Sequence, residues 1–133
     1  MDEHIARDLI QSYINGWKQL DLSLVLSPLS ENCVIIESHG PIYQGLEEVT
    51  HWINTWSKTG SKVIRWDLRS FYFLEKEKTA FCEWDFYCIA NQREYVLAGA
   101  SLVKFSSEKI VLIHEYCMTH MPHPWVKDTL QLA

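Results

Sequence analysis

The chain has 133 residues, 47% hydrophobic and 22% charged, with 12 Lys and Arg against 17 Asp and Glu for a net charge of −5. That length suits one domain with a real core, and that composition excludes a disordered chain. No basic stripe invites nucleic acid, and no uncharged apolar run of about 18 residues offers a membrane-spanning helix.

The acidic start Met1-Asp2-Glu3-His4 is unlike the basic start of a signal peptide. Cys33, Cys82, Cys88 and Cys117 form no C-x-x-C pair, so a cytoplasmic chain with reduced thiols is expected. Ile5, Leu9 and Tyr13 lie at i, i+4 and i+8, and Ile10, Ile14 and Trp17 continue the stripe, predicting a helix with one apolar face and Asp2 as its cap. Asp21 opens a short second helix that Pro28 limits.

Cys33-Val34-Ile35-Ile36-Glu37 reads as a short strand broken by His39-Gly40-Pro41, which places Glu37 at its end. Leu46, Val49, Ile53 and Trp56 repeat at helical spacing, with Glu47 and Glu48 in the favoured first turn and Gly60 as the stop. From Lys62 the period becomes two. Ile64, Trp66 and Leu68 alternate with Arg65, Asp67 and Arg69, and a charged hairpin follows at 75–78. Cys82, Trp84 and Phe86 alternate with Glu83 and Asp85. A strand from about Arg93 to Phe105 turns at 106–108 and returns over 109–118, giving an antiparallel meander.

The expected architecture is α+β: a cone, or conical barrel, of strongly curved, mostly antiparallel sheet wrapped around N-terminal helices. It forms one domain over 1–133, with 120–133 as a proline-punctuated tail. Tyr13 and Glu37 are positioned to point into the hollow. Parity turns Cys82, Trp84, Phe86, Gly99, Ser101 and Val103 inward. Val96, Ala98, Ala100 and Leu102 then face outward, which favours a homodimer through the sheet. On the last strand, Ile110/Leu112/His114 and Val111/Ile113/Glu115 are equally eligible for the inner face. Trp17, Trp84 and Phe86 are candidate ligand walls, with Glu115 and Cys117 as further contacts. His120 and His123 lack the scaffolding of a metal site, and no metal or other cofactor is expected.

The order of elements, with "YINGWKQLDL", "VIIESHGPIYQG" and "KFSSEKIVLIHEY", resembles the SnoaL-like branch of the nuclear transport factor 2-like superfamily over about residues 3–119. The resemblance implies a conical α+β fold, often dimeric through the sheet. Within the superfamily the chain is most similar to ketosteroid isomerase, where a helix Tyr and a protonated Asp polarise a carbonyl and a second Asp moves a proton. By that resemblance Tyr13 takes the place of the Tyr, Glu37 that of the proton-moving Asp, and Ser101 that of the protonated Asp. Glu is one methylene longer than Asp, a displacement of about 1.5 Å of an order that costs ~10²-fold in rate when uncorrected. Ser101 can donate a hydrogen bond but cannot be a carboxylic acid. His114-Glu115-Tyr116 falls where limonene epoxide hydrolase carries Arg-Asp-Tyr. That enzyme's other Arg and Asp are replaced here by Trp84 and Phe86.

The function expected is therefore binding of a small, mostly apolar molecule, with cofactor-independent isomerase, cyclase or dehydratase chemistry. Glu37 is the base, and Tyr13 and Ser101 polarise the oxygen. The alternatives are a non-catalytic binder with the same cavity and a dimeric protein-association module.

Overall fold

The computed structural model describes residues 1–126; the tail expected at 120–133 thus lies partly outside the described residues. The elements run α1 (Glu3–Gln19), α2 (Leu22–Leu26), β1 (Leu29–Ile36), β2 (Ile42–Gln44), α3 (Gly45–Lys58), β3 (Lys62–Leu74), β4 (Thr79–Ala90), β5 (Arg93–Ser106) and β6 (Lys109–Cys117). Asp2 caps α1 by accepting from the Ile5 N–H, and Asp21 caps α2 through Ser23 and Leu24. Gly60, with φ +75°, ends the turn after α3, a conformation costly for any side chain.

One six-stranded sheet has the order β2-β1-β6-β5-β4-β3. Every pairing is antiparallel except β1 with β6. The sheet curves around the helices as expected but does not close, because β2 and β3 remain edges. The core is the inner face of the sheet packed on α1 and α3, with Ile14, Val25, Ile35, Val49, Val103 and Ile110 deeply buried. The hairpin strand β2 is an element the sequence reading lacked. Three residues flanked by a Gly-Pro turn carry too little pattern to announce a strand.

Two register shifts correct the parity reading. A bulge between Val63 and Arg65 turns Val63 inward and leaves Ile64 exposed, so Ile64 does not share a face with Trp66. A second shift, between Lys104 and Phe105, places both Ile110 and Ile113 in the core. That is why both phases of the last strand looked eligible. Beyond the shift, Val103 pairs Ile113, Ser101 pairs Glu115 and Gly99 pairs Cys117, so Glu115 and Cys117 face inward.

Gly99 sits in β5 between Trp84 of β4 and Cys117 of β6, with no space for a side chain. A Cβ there would lie 2.3 Å from the Tyr116 carbonyl oxygen and 2.5 Å from the Trp84 ring. Gly99→Ala is therefore expected to destabilise the fold by ~1–3 kcal/mol through overpacking. Denaturant melts of the two proteins measure this, and an unchanged midpoint would show that the contact yields freely.

Candidate functional site

The register builds the site as layers across the inner face. Ile36 pairs His114 in the parallel β1–β6 ladder, and Ile35 pairs the equally buried Ile113. One residue on, Glu37 and Glu115 stand side by side on the inner face. Ser101 is directly across from Glu115, and Cys82 from Ser101. A single layer thus runs Glu37, Glu115, Ser101, Cys82. The next layers toward the opening are Cys117, Gly99 and Trp84, then Leu97, Phe86 and Trp66. Helix α1 covers these layers with Tyr13 and Trp17, one turn apart.

A cavity of about 720 Å³ follows these layers. Tyr13, Trp17, Glu37, Trp84, Phe86, Glu115 and Cys117 all line it, so the structure brings together seven of the eight residues singled out from the sequence. Ser101 is the exception. It lines a small adjoining cavity of about 20 Å³, the volume of roughly one water, together with Tyr13, Trp84 and Glu115. Its hydroxyl oxygen accepts the Trp84 indole N–H at 2.9 Å, so Ser101 holds the wall rather than facing the main cavity.

Several lining residues were missed. Trp52 and Trp56 border the cavity from α3, and Tyr43 and Tyr95 join them. Five of the six Trp of the chain therefore surround one space. Trp52 stacks on Tyr43 (ring centroids 4.0 Å, interplanar angle 7°) and meets Trp17 at 4.5 Å. Such packing fixes the rings as rigid walls. Among the described residues no Lys or Arg lines the cavity, and no group of three or more His, Cys, Asp or Glu is arranged to hold a metal ion.

The two carboxyls are unlike. Glu37 sits just past β1, in a turn closed by its N–H donating to the Pro41 carbonyl at 2.9 Å. Burial raises its pKa, while the Tyr43 hydroxyl, donating to Oε1 at 2.8 Å, and His39 hold it down. His39 Nδ1 is 3.9 Å from Oε2 and is itself well exposed. Tyr43, on the unforeseen β2, thus restrains the longer Glu arm. Glu115 has no such support: it accepts no hydrogen bond among the described residues. Burial, and then the charge of Glu37, push its pKa up to about 8. The pair is therefore unequal: Glu115 is pushed toward its protonated form with no donor to oppose it, while Tyr43 and His39 favour the charge on Glu37. Tyr13 is driven well above the ordinary tyrosine range by burial and by both carboxylates, so it stays a donor. The Trp17 indole N–H opposes that rise in part without reaching hydrogen-bonding geometry.

The sequence profile of the SnoaL-like domain matches residues 10–113. The chain belongs to the SnoaL-like family. No curated protein sequence is detectably similar to it. Among solved structures, this SnoaL-like chain is similar to a provisionally named isomerase from Bacillus subtilis (TM-score 0.76, 15% identity, covering 89% of this chain and 90% of that one). It is similar to an LEH-like epoxide hydrolase from M. tuberculosis (0.75, 10%, 86% and 84%). It is also similar to a provisionally named polyketide cyclase from Xanthomonas campestris (0.69, 18%, 85% and 90%). At such identities these likenesses show the fold alone, one shared with structures described as NTF2-like and as having a ketosteroid isomerase-like fold.

The raised pKa of Glu115 has a thermodynamic sign. Below its ordinary value of 4.5 the group is neutral in the folded and unfolded chain alike, and its contribution to stability is full. Between 4.5 and about 8 the unfolded chain ionises first, so that contribution is lost as pH rises through the window. Glu115→Gln is expected to flatten the decline of stability across this range. Unfolding midpoints measured at pH steps through it would show the same slope in both proteins if Glu115 were in fact solvated.

Proposed function

We propose that this SnoaL-like domain binds a small apolar carbonyl compound and moves a proton next to that carbonyl. The observation that carries this reading is that Glu37, held by the Tyr43 hydroxyl, and Glu115, which has no such donor, line one aromatic cavity with Tyr13. Glu37 takes a proton from the carbon beside the carbonyl. The C–H electron pair becomes the C=C of an enolate, and the carbonyl π pair moves onto oxygen. Tyr13 and Glu115, both holding protons, donate to that oxygen. Glu37 then returns its proton to carbon, so the cycle is balanced and needs no cofactor. The acid that Ser101 cannot supply comes from the position directly across from it on the neighbouring strand. The isomerase and cyclase names of structural relatives agree with this chemistry.

The test is exchange of the α-protons of 2-tetralone into D2O, followed by NMR. Exchange should be accelerated by the protein and reduced at least ~10²-fold in Glu37→Gln, with binding retained. Equal exchange in the variant would remove Glu37 from the role. Binding without any acceleration would leave a non-catalytic binder.

A second copy of the chain is the partner proposed for the outer face of the sheet. Val96 pairs Tyr87 there, Leu102 lies between Phe81 and His114, and Phe81, Val96 and Tyr116 are exposed. Sedimentation should show a dimer that Phe81→Glu dissociates. A monomer at every concentration would rule this out.

A further inference from the structure

The charge of the cavity wall is one-sided. Glu37 and Glu115 both line it, and the one basic side chain among the described lining residues is the exposed His39. The whole chain carries a net charge of −5. A wall of this sign gathers cations and repels anions. The carboxyl of Glu37 adjoins a run of aromatic rings. Tyr43, whose hydroxyl donates to Glu37, stacks on Trp52. Trp52 meets Trp17, and Trp17 meets Trp56 at 5.5 Å between ring centroids and 85° between ring planes. All four rings line the cavity, and Trp52 and Trp56 are only half-buried. On the sheet side, Trp66 and Phe86 repeat the steep geometry at 5.2 Å and 87°. Aromatic faces carry negative potential and attract a cation within about 6 Å of a ring centroid. A hydrocarbon ligand has no use for this combination. Aliphatic walls would hold it as well, and it would bury the charge of Glu37 with little besides the Tyr43 hydroxyl to answer it.

We infer that the cavity contains a subsite for an alkylated ammonium group, seated against the tryptophans of α1 and α3 beside the carboxylate of Glu37. This goes beyond the proton-transfer reading and does not depend on it. The degree of alkylation follows from the lining. A primary ammonium is strongly hydrated and brings three N–H donors that would each need an acceptor. A fully alkylated nitrogen brings none, so the oxygens of Glu37 stay free to take a proton. Its outer surface is hydrocarbon and suits a wall made mostly of rings, while its charge is answered by those rings and by the carboxylate. The two readings meet in a carbonyl compound that carries such a group at its other end.

The experiment uses two probes of one shape, choline and 3,3-dimethylbutan-1-ol, which differ by nitrogen for carbon and hence by one charge. Each is titrated into the whole protein, with binding read from tryptophan fluorescence and from NMR of the probe. Choline should bind at least ~10-fold more tightly than the alcohol. Trp56→Leu keeps an apolar wall but removes a ring. It should weaken choline ~5-fold and change the alcohol less than ~2-fold. Glu37→Gln should weaken choline and spare the alcohol. Binding of the alcohol as tight as that of choline, no binding of choline, or an equal loss of both probes in Trp56→Leu would overturn the subsite. The comparison of the two probes on the unaltered protein needs no variant, and unfolding midpoints show whether each variant is folded. Neither probe has a carbonyl group, so turnover plays no part. A preference for choline without accelerated α-proton exchange of the ketone would sink only the proton-transfer reading. Accelerated exchange without that preference would sink only this one.

Discussion

Two carboxyl groups on adjacent strands of one aromatic-walled cavity each make it harder for the other to carry charge. This constraint organises the site. Glu37 and Glu115 arrive there because β1 and β6 run parallel with Ile36 beside His114, so residues one step further are lateral neighbours. Mutual repulsion and burial would leave either group protonated. The symmetry is broken by what each residue touches. Glu37 has the Tyr43 hydroxyl and His39 nearby, and Glu115 has neither. One group is favoured in its charged form and the other in its protonated form.

The rest of the fold maintains that inequality. The curved sheet lies on one side of Glu115 and α1 on the other, and the burial they provide is the larger cause of its raised pKa. The stack of Tyr43 on Trp52, extended to Trp17, ties the residue that charges Glu37 to both long helices. Gly99, pressed against the Tyr116 carbonyl and the Trp84 ring, leaves no room for a side chain at that level of the wall.

The order of elements apart from β2, the inner faces of β4 and β5, and the presence of Tyr13 and Glu37 in one hollow were legible in the sequence. Their signals are strong: a helical stripe ending at Trp17, and charged residues alternating with Cys82, Trp84 and Phe86. Other features were hidden for definite reasons. The face of β6 cannot be read when a bulge lets both Ile110 and Ile113 into the core. The same device at Val63 makes Ile64 look buried. Tyr43 lies on a strand too short to show a period, so its bond to Glu37 left no trace in the pattern. Trp52 and Trp56 obey helical spacing, which describes core packing and cavity lining equally well. That Glu115 and Ser101 are cross-strand partners depends on register, which spacing along one strand does not carry.

The proton-bearing layer is set by pairings within the sheet, from the end of β1 across β6, β5 and β4. The cavity mouth is different. Thr59 and Ser61 come from the stretch leaving α3, and Asn91 from the tight turn joining β4 to β5. Loops of this kind tolerate exchange and insertion more readily than paired strands. Exchange at these loop positions would therefore reshape one end of the cavity while leaving the strand pairings that seat Glu37 and Glu115 in place.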